Sequence, residues 1–278
     1  MNAAPPLARL PRLLRLARRS EFPRKLGILE RLFGAALARL GVTWVETASG
    51  IPWKLDLRNP THRWIVYGKY EGAAFLDWAR EWLPADGVVV DSGANIGQMA
   101  QYFATFVPRG RVLAFEPHPA ARAWLLECLA RNRGLPVEVF PEALAAQAGD
   151  LRLAEVGSDE GHGAWSRIDG RGEHRIAAVR LADRLAELGI ASVDLWKLDV
   201  EGAEPEALAG AEPLLRERAI RAVYVELGFG RGAETVDALA RHGYRGHVFT
   251  GHGRLAPLVG VPEHANALFL PAGARDGR

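Results

Sequence analysis

Four acids stand at the ends of short apolar runs: Asp91 after Val88–Val90, Glu116 after Val112–Phe115, Asp199 in the run from Val193, and Glu226 in the run from Ala222. Burying a carboxylate costs free energy unless it is paired or used. In these positions it could accept hydrogen bonds from the hydroxyls of a ligand, or take a proton from a hydroxyl within hydrogen-bond reach. Between the first two acids lies Gly93-Ala94-Asn95-Ile96-Gly97. Its glycines let the backbone pass close to a ligand, and free amides at the start of the next helix would face the same place. A dinucleotide fingerprint asks for glycine where Asn95 and Gln98 stand, so a ligand without a diphosphate is favoured. Alone, the turn suits a tight strand-to-helix connection with no ligand equally well. Glu116 follows Gly97 by 19 residues, near the spacing at which an acid reaches both hydroxyls of a ribose. Phe140-Pro141-Glu142-Ala143, after the next run, is placed to line an adenine.

A second constellation, Lys197-Leu198-Asp199-Val200-Glu201-Gly202-Ala203-Glu204, puts a lysine and three acids into eight residues. Acids in the first turn of a helix favour its dipole. That accounts well for Glu204, partly for Glu201 and poorly for Asp199.

The elements that must position these residues follow from periodicity. Runs at Val88–Asp91, Val112–Glu116, Val137–Phe140, Val193–Asp199 and Ala222–Glu226 read as strands buried on both faces, with Arg245–Thr250 and Ala267–Leu270 closing the chain. Helical patterns at Gly97–Phe106, Pro119–Asn132, Ala203–Arg218 and Ala233–His242 alternate with them. The expected fold is α/β: a doubly wound, mostly parallel seven-stranded sheet with an N-terminal helical extension. Residues 61–278 form the main domain and residues 1–60 a basic helical and extended region. An insertion at about 150–180 carries two strands, Leu151–Val156 and Arg175–Val179, and is expected to supply substrate contacts.

Composition narrows the class. Of 278 residues, 49% are hydrophobic and 24% charged, which excludes global disorder and fibrous repeats. The net charge of +2, from 35 basic and 33 acidic residues, gives no reason to expect nucleic acid as partner. One cysteine, Cys128, leaves no internal disulfide, and no apolar stretch is long enough to span a bilayer, so a cytoplasmic location is expected. Residues 5–40 interleave Arg9, Arg12, Arg15 and Arg18 with Leu7, Leu10, Leu13, Leu14 and Leu16. Such a pattern fits a helix packed on the domain, a helix in peripheral contact with an anionic membrane, or an Arg-rich targeting segment.

In this order and spacing, Asp91–Gly97 (DSGANIG), Ala114–Pro117 (AFEP), Lys197–Glu204 (KLDVEGAE) and Tyr224–Phe229 (YVELGF) resemble the FkbM family of S-adenosylmethionine-dependent O-methyltransferases. The resemblance extends over about Tyr67–Leu270 and takes in Tyr67–Glu71 and Leu181–Asp183. One departure is Ser92, where valine is commoner; its small side chain is not expected to disturb the turn. The resemblance implies a Rossmann-like class I methyltransferase fold with S-adenosylmethionine as cofactor. Asp91, Gly93, Ala94, Asn95 and Gly97 would hold its methionine part, Glu116 with Pro117 its ribose, and Glu142 with Ala143 its adenine. Glu71 would meet its amino group or close the site. Asp199 and Glu201 are the first candidates for the base, with Asp199 also able to face the cofactor, and His162 is the runner-up because a loop imidazole titrates near neutrality. No metal is expected. The acceptor implied is a small-molecule or glycan hydroxyl, of a sugar or a secondary metabolite. A nucleotide-dependent oxidoreductase and a non-catalytic binding protein on the same fold are the alternatives.

Overall fold

Two helices, α1 (Arg12–Ala17) and α2 (Lys25–Ala38), lead into an antiparallel hairpin of β1 (Val42–Glu46) and β2 (Pro52–Asp56). Helix α3 (Pro60–Val66) starts where Asn59 accepts the Thr61 N–H at 2.9 Å and Pro60 fills the first helical position, which needs no donor. Helix α4 (Ala74–Trp82) completes the N-terminal layer. These elements come from a computed structural model describing residues 5–18, 20, 22–68, 74–155, 166–168, 170–250, 254–261, 263 and 265–274.

Strand and helix then alternate: β3 (Val88–Ser92), α5 (Gln98–Phe106), β4 (Arg111–Phe115), α6 (Pro119–Arg131) and β5 (Val137–Phe140). Four short strands follow, β6 (Ala143–Leu144), β7 (Gly149–Glu155), β8 (Ser166–Ile168) and β9 (His174–Val179). The remainder comprises α7 (Leu181–Glu187), β10 (Leu195–Leu198), α8 (Glu204–Gly210), α9 (Glu212–Arg216), β11 (Val223–Leu227), α10 (Gly232–Arg241), β12 (Tyr244–Thr250), β13 (Arg254–Pro257) and β14 (Ala265–Pro271).

The main sheet runs β13-β12-β14-β11-β10-β3-β4-β5. Neighbours from β11 through β5 are parallel, while β14 is antiparallel to both β11 and β12. All seven expected runs are strands of this doubly wound sheet. An eighth, β13, is added antiparallel to β12 at the edge. It is four residues long, ends in Pro257 and is half exposed, so no buried apolar run marks it in the sequence. The inserted strands β7, β8 and β9 join β6, which precedes them, in a separate four-stranded sheet, β6-β9-β7-β8. The helix expected over 203–218 is two: Pro213 sits in the first turn of α9, and Gly210 ends α8 where a Cβ would lie 2.0 Å from the Ala145 carbonyl oxygen.

The core is continuous from the N-terminal layer into the sheet. Leu14, Leu29, Leu37, Trp44 and Trp53 share one buried cluster with Val89, Phe103 and Val112. Leu13, Leu16 and Leu32 instead face outward, 73%, 70% and 66% exposed. Cys128 is buried in the same core, and burial pushes its thiol up to about 12, far from thiolate chemistry. Among the described residues no helix is long and apolar enough to cross a membrane.

Candidate active site

The acids at the strand ends fall on neighbouring strands, because β4, β3, β10 and β11 are consecutive in the sheet. Carboxyl ends of parallel strands all point one way, so Asp91, Glu116, Asp199 and Glu226 mark one edge, where α/β sheets place their ligand crevice.

The glycine turn is shaped by the protein's own packing. Gly93 has φ +73, and a Cβ there would stand 1.9 Å from the Asp199 carbonyl oxygen; Gly97 has φ +83, and its Cβ would meet Leu125 at 2.3 Å. Asn95 is left-handed as well, at φ 51. The amides of the turn itself, ahead of the start of α5, are engaged within the protein. The amides of Gly93 and Ala94 both donate to the Phe115 carbonyl, at 3.0 and 3.1 Å, and that of Asn95 donates to Glu116 Oε2 at 2.7 Å. These donors are engaged in joining β3 to β4 and are not offered to a phosphate. From the other side, the Trp53 indole donates to the Ile96 carbonyl at 2.8 Å, tying the turn to the N-terminal hairpin.

Glu116 is 6% exposed, and its second oxygen accepts the His118 N–H at 2.8 Å. Burial nevertheless pushes its pKa up to about 7. Each oxygen keeps a lone pair beyond these bonds. His118 in turn caps α6, its Nδ1 accepting the Ala121 N–H at 3.3 Å.

Lys197 is the cation at the centre of the acids. It lies opposite Asp91 in the β10–β3 register, with Nζ 3.3 Å from Asp91 Oδ1, 3.2 Å from Asp199 Oδ2 and 3.2 Å from the Gly93 carbonyl. Burial alone would lower its pKa, but Asp199 and Asp91 together hold it above the ordinary lysine value. Asp91 is fully buried, and burial raises its carboxyl against the opposing pull of Lys197.

Three further carboxylates gather beyond β10. Glu204 accepts the amides of Val200 and Gly202, at 3.0 and 3.3 Å, and so serves the start of α8. Glu201 sits at φ 56, an unusual conformation for a side-chain-bearing residue. Burial, reinforced by Asp199, Glu226 and Glu204, pushes its pKa up to about 8. Burial and Asp199 raise Glu226 to about 7. Among the described residues no group of three or more His, Cys, Asp or Glu is placed to share a metal ion.

One cavity gathers much of this. From the expected residues, Gly93, Ala94, Asn95, Glu116, Pro117, Glu142, Ala143, Asp199 and Glu201 line it. Asp91 and Gly97 lie behind the lining, Asp91 as the partner of Lys197 and Gly97 packed on Leu125. Glu71 and His162 lie outside the described residues. Glu142 is held by Arg184 at 2.6 Å. The cavity also takes in Thr61 and His62 of α3, Met99 of α5, and Leu153 and Ile168 of the inserted sheet. Sequence reasoning missed His62, whose Nδ1 accepts the Asp56 N–H at 2.9 Å; the Asn59-Pro60 helix start was the signal that could have placed it. Three buried oxygens of the lining, Asn95 Oδ1, Glu142 Oε2 and Glu201 Oε2, have no hydrogen-bond partner among the described residues.

Ser92 has a role that its small size did not suggest. Its Oγ accepts the indole N–H of Trp196 at 2.7 Å, with both residues fully buried. Ser92→Val orphans that donor and is expected to lower stability by about 1–3 kcal/mol, less whatever the added methyl groups gain. Chemical denaturation of the two proteins measures it, and equal stability would show that the indole needs no partner there.

Sheet order, the single antiparallel strand between β11 and β12, and a cavity at the carboxyl ends of the parallel strands define the Rossmann-like class I methyltransferase fold. Residues 91–245 match the family model described as the methyltransferase FkbM domain, which covers more than half of the chain. The protein belongs to the FkbM methyltransferase domain family. It is 34% identical over 192 residues to the 31-O-demethyl-FK506 methyltransferase FkbM of Streptomyces tacrolimicus, covering 68% of this chain and 62% of that protein. It is 29% identical over 157 residues to the 2-O-methyltransferase NoeI of Sinorhizobium fredii, covering 51% and 63% respectively. A 206-residue match at 30% identity to the AMB antimetabolite synthetase AmbE of Pseudomonas aeruginosa covers 58% of this chain and 10% of that protein. The chain thus spans less than two thirds of the length of each of these relatives.

Proposed function

We propose that the protein is an S-adenosylmethionine-dependent O-methyltransferase acting on a hydroxyl of a sugar or secondary metabolite. The observation that carries this reading is the pair of buried oxygens of Asn95 and Glu142, unpartnered among the described residues, added to the spare lone pairs of Glu116. A site made of acceptors suits a ligand rich in donors: two ribose hydroxyls, an adenine amino group and an ammonium group. It is unsuited to a diphosphate. The turn amides are engaged, and Lys197 is already flanked by two carboxylates. The nucleotide-dependent oxidoreductase is disfavoured on the same grounds. NoeI, named as a 2-O-methyltransferase, and FkbM, named as a 31-O-demethyl-FK506 methyltransferase, support an oxygen acceptor.

In this reading Glu116 binds the ribose, Glu142 and Ala143 border the adenine, and Gly93, Ala94 and Asn95 lie along the methionine part. Asp91 acts from behind, as counter-ion to Lys197. When bound, S-adenosylmethionine supplies an electrophilic methyl group to an oxygen aligned with it, so much of the rate comes from positioning. Glu201 takes the hydroxyl proton, being the raised carboxyl with an unpartnered oxygen on the cavity wall. Asp199, fixed by Lys197, keeps the Glu201 proton affinity high.

Calorimetric titration with S-adenosylmethionine tests the reading: saturable binding is expected, and folded protein giving no heat would overturn it. A base must be ionised to work, and the folded pKa of Glu201 is about 8, so turnover is expected to climb with pH through that value. Glu201→Gln should lower kcat by about 10²–10⁴-fold and flatten that climb while leaving cofactor affinity in place. An unchanged pH profile in the variant would remove Glu201 from the role.

A further inference from the structure

A second cavity, of about 530 Å³, opens beside the first. Glu201 and Ile168 line both, so the wall between them is the residue assigned above as the base. Its floor is apolar, formed by Ala145 and Ala146 after β6, Leu151 of β7 and Ala203 before α8. On one side stands Phe229, 38% exposed and left-handed at φ 55. Its ring position depends on Gly202, where a Cβ would come within 3.2 Å of the Phe229 Cβ. Non-glycine residues with positive φ cost free energy and collect at functional sites. Of the five among the described residues, Asn95, Glu201 and Phe229 all line these two cavities.

Charge decides what the second cavity can take. Among the described residues of its lining the one cationic side chain, Arg231, is already engaged: Nη1 donates to both Glu206 oxygens, at 2.9 and 2.8 Å, and to the Gly202 carbonyl at 3.0 Å. Nε and Nη2 donate to Glu234, at 3.0 and 2.8 Å. Glu206 and Glu201 are the acids of the lining. An anionic group brought here would meet carboxylates and a guanidinium balanced by two of them. An uncharged ring would meet the Phe229 side chain and an apolar floor, with Gln147 and Glu206 in the lining beside its hydroxyls.

We propose that this second cavity holds the body of the acceptor. Its ligand is an uncharged hydroxylated ring with an apolar face, laid against Phe229 with one hydroxyl at Glu201, and phosphorylated or carboxylated acceptors are refused. The inference rests on the methyltransferase reading and adds to it the site and charge of the substrate.

A matched pair of probes tests it: phenyl β-D-glucopyranoside and its carboxylate counterpart phenyl β-D-glucuronide, titrated by ligand-observed NMR into the full chain saturated with S-adenosylhomocysteine. The neutral glycoside should bind and the glucuronide should bind at least about tenfold more weakly, one charge mismatch being enough for that factor. Phe229→Ala should weaken the neutral probe about three- to tenfold, the range of one aromatic contact, with S-adenosylhomocysteine affinity unchanged. Glu206→Gln, which releases Arg231 from one of its carboxylates, should narrow the gap between the two probes, and it keeps the test open if Phe229→Ala fails to fold. Equal or tighter binding of the glucuronide, no binding of the neutral glycoside at millimolar concentration, or insensitivity to both substitutions overturns the proposal. Failure of the methyltransferase reading shows separately, as absent S-adenosylhomocysteine binding, and the probes are then titrated into the unliganded protein with the same criteria.

Discussion

Lys197→Met should destabilise the protein by about 3–5 kcal/mol at pH 7, the cost of removing one partner from a buried ion pair. The lysine faces two carboxylates of unequal standing. Asp199 has a side chain 37% exposed and can be hydrated once Lys197 is gone; Asp91 has none of its surface in water. Its charge would then have no compensation, and it would hold its proton instead. The pH dependence has a definite sign. Asp91 in the fold is already raised above its ordinary value of 3.8, and losing Lys197 raises it further. A group with a raised folded pKa favours folding below its unfolded pKa, and that benefit fades as pH climbs towards the folded value. The deficit of Lys197→Met should therefore be small near pH 4 and grow above it, as denaturant melts across that range would show. The double variant Asp91→Asn, Lys197→Met should recover much of the loss, since removing both charges removes the uncompensated one. A single variant as stable as the parent at pH 7 would mean that Asp91 is neutral in the native protein and Lys197 serves Asp199 alone.

Glu116→Ala should weaken S-adenosylmethionine binding by about 1.5–3 kcal/mol, the range for hydrogen bonds to a charged group, or roughly 10–150-fold in Kd. The same substitution orphans the amides of Asn95 and His118, so part of the loss would come from a looser turn. The pH dependence separates the two contributions. Ribose hydroxyls donate, so they favour the ionised carboxylate, whose folded pKa is about 7. Parent affinity should increase from pH 6 to pH 8, with proton release on binding, and in Glu116→Ala that dependence should vanish. Calorimetry in buffers of different ionisation enthalpy reads the proton directly. Affinity equal to the parent at every pH would remove Glu116 from the ribose site.

How much of this could be read in the residues depends on the range over which each feature is encoded. Five of the seven strands were legible because parallel strands covered on both faces are contiguous apolar runs, and an acid closing such a run is conspicuous. Val88–Asp91 and Ala222–Glu226 are of this kind. That Asp91, Glu116, Asp199 and Glu226 lie along one edge follows from strand order, which the chiral crossover rule constrains but local sequence does not state. Lys197 shows the limit. Its neighbours in sequence mark it as part of a charged segment, but its opposition to Asp91 is a register between strands more than a hundred residues apart. The engaged amides of the glycine turn were hidden for the same reason, since their acceptor, the Phe115 carbonyl, belongs to the next strand. Ser92 looked like a departure to be tolerated until its Trp196 partner was seen across the sheet.

The hydrogen bond from Trp53 to the Ile96 carbonyl crosses from the N-terminal hairpin to the middle of the glycine turn, and the Gly97 backbone is packed against the same indole. The hairpin and the turn should therefore open together in hydrogen exchange, since opening either one breaks this contact. Ligand binding at the turn should slow amide hydrogen exchange in β1 and β2. Sequence changes in the hairpin should then alter how long a ligand stays at the turn, measured as its dissociation rate.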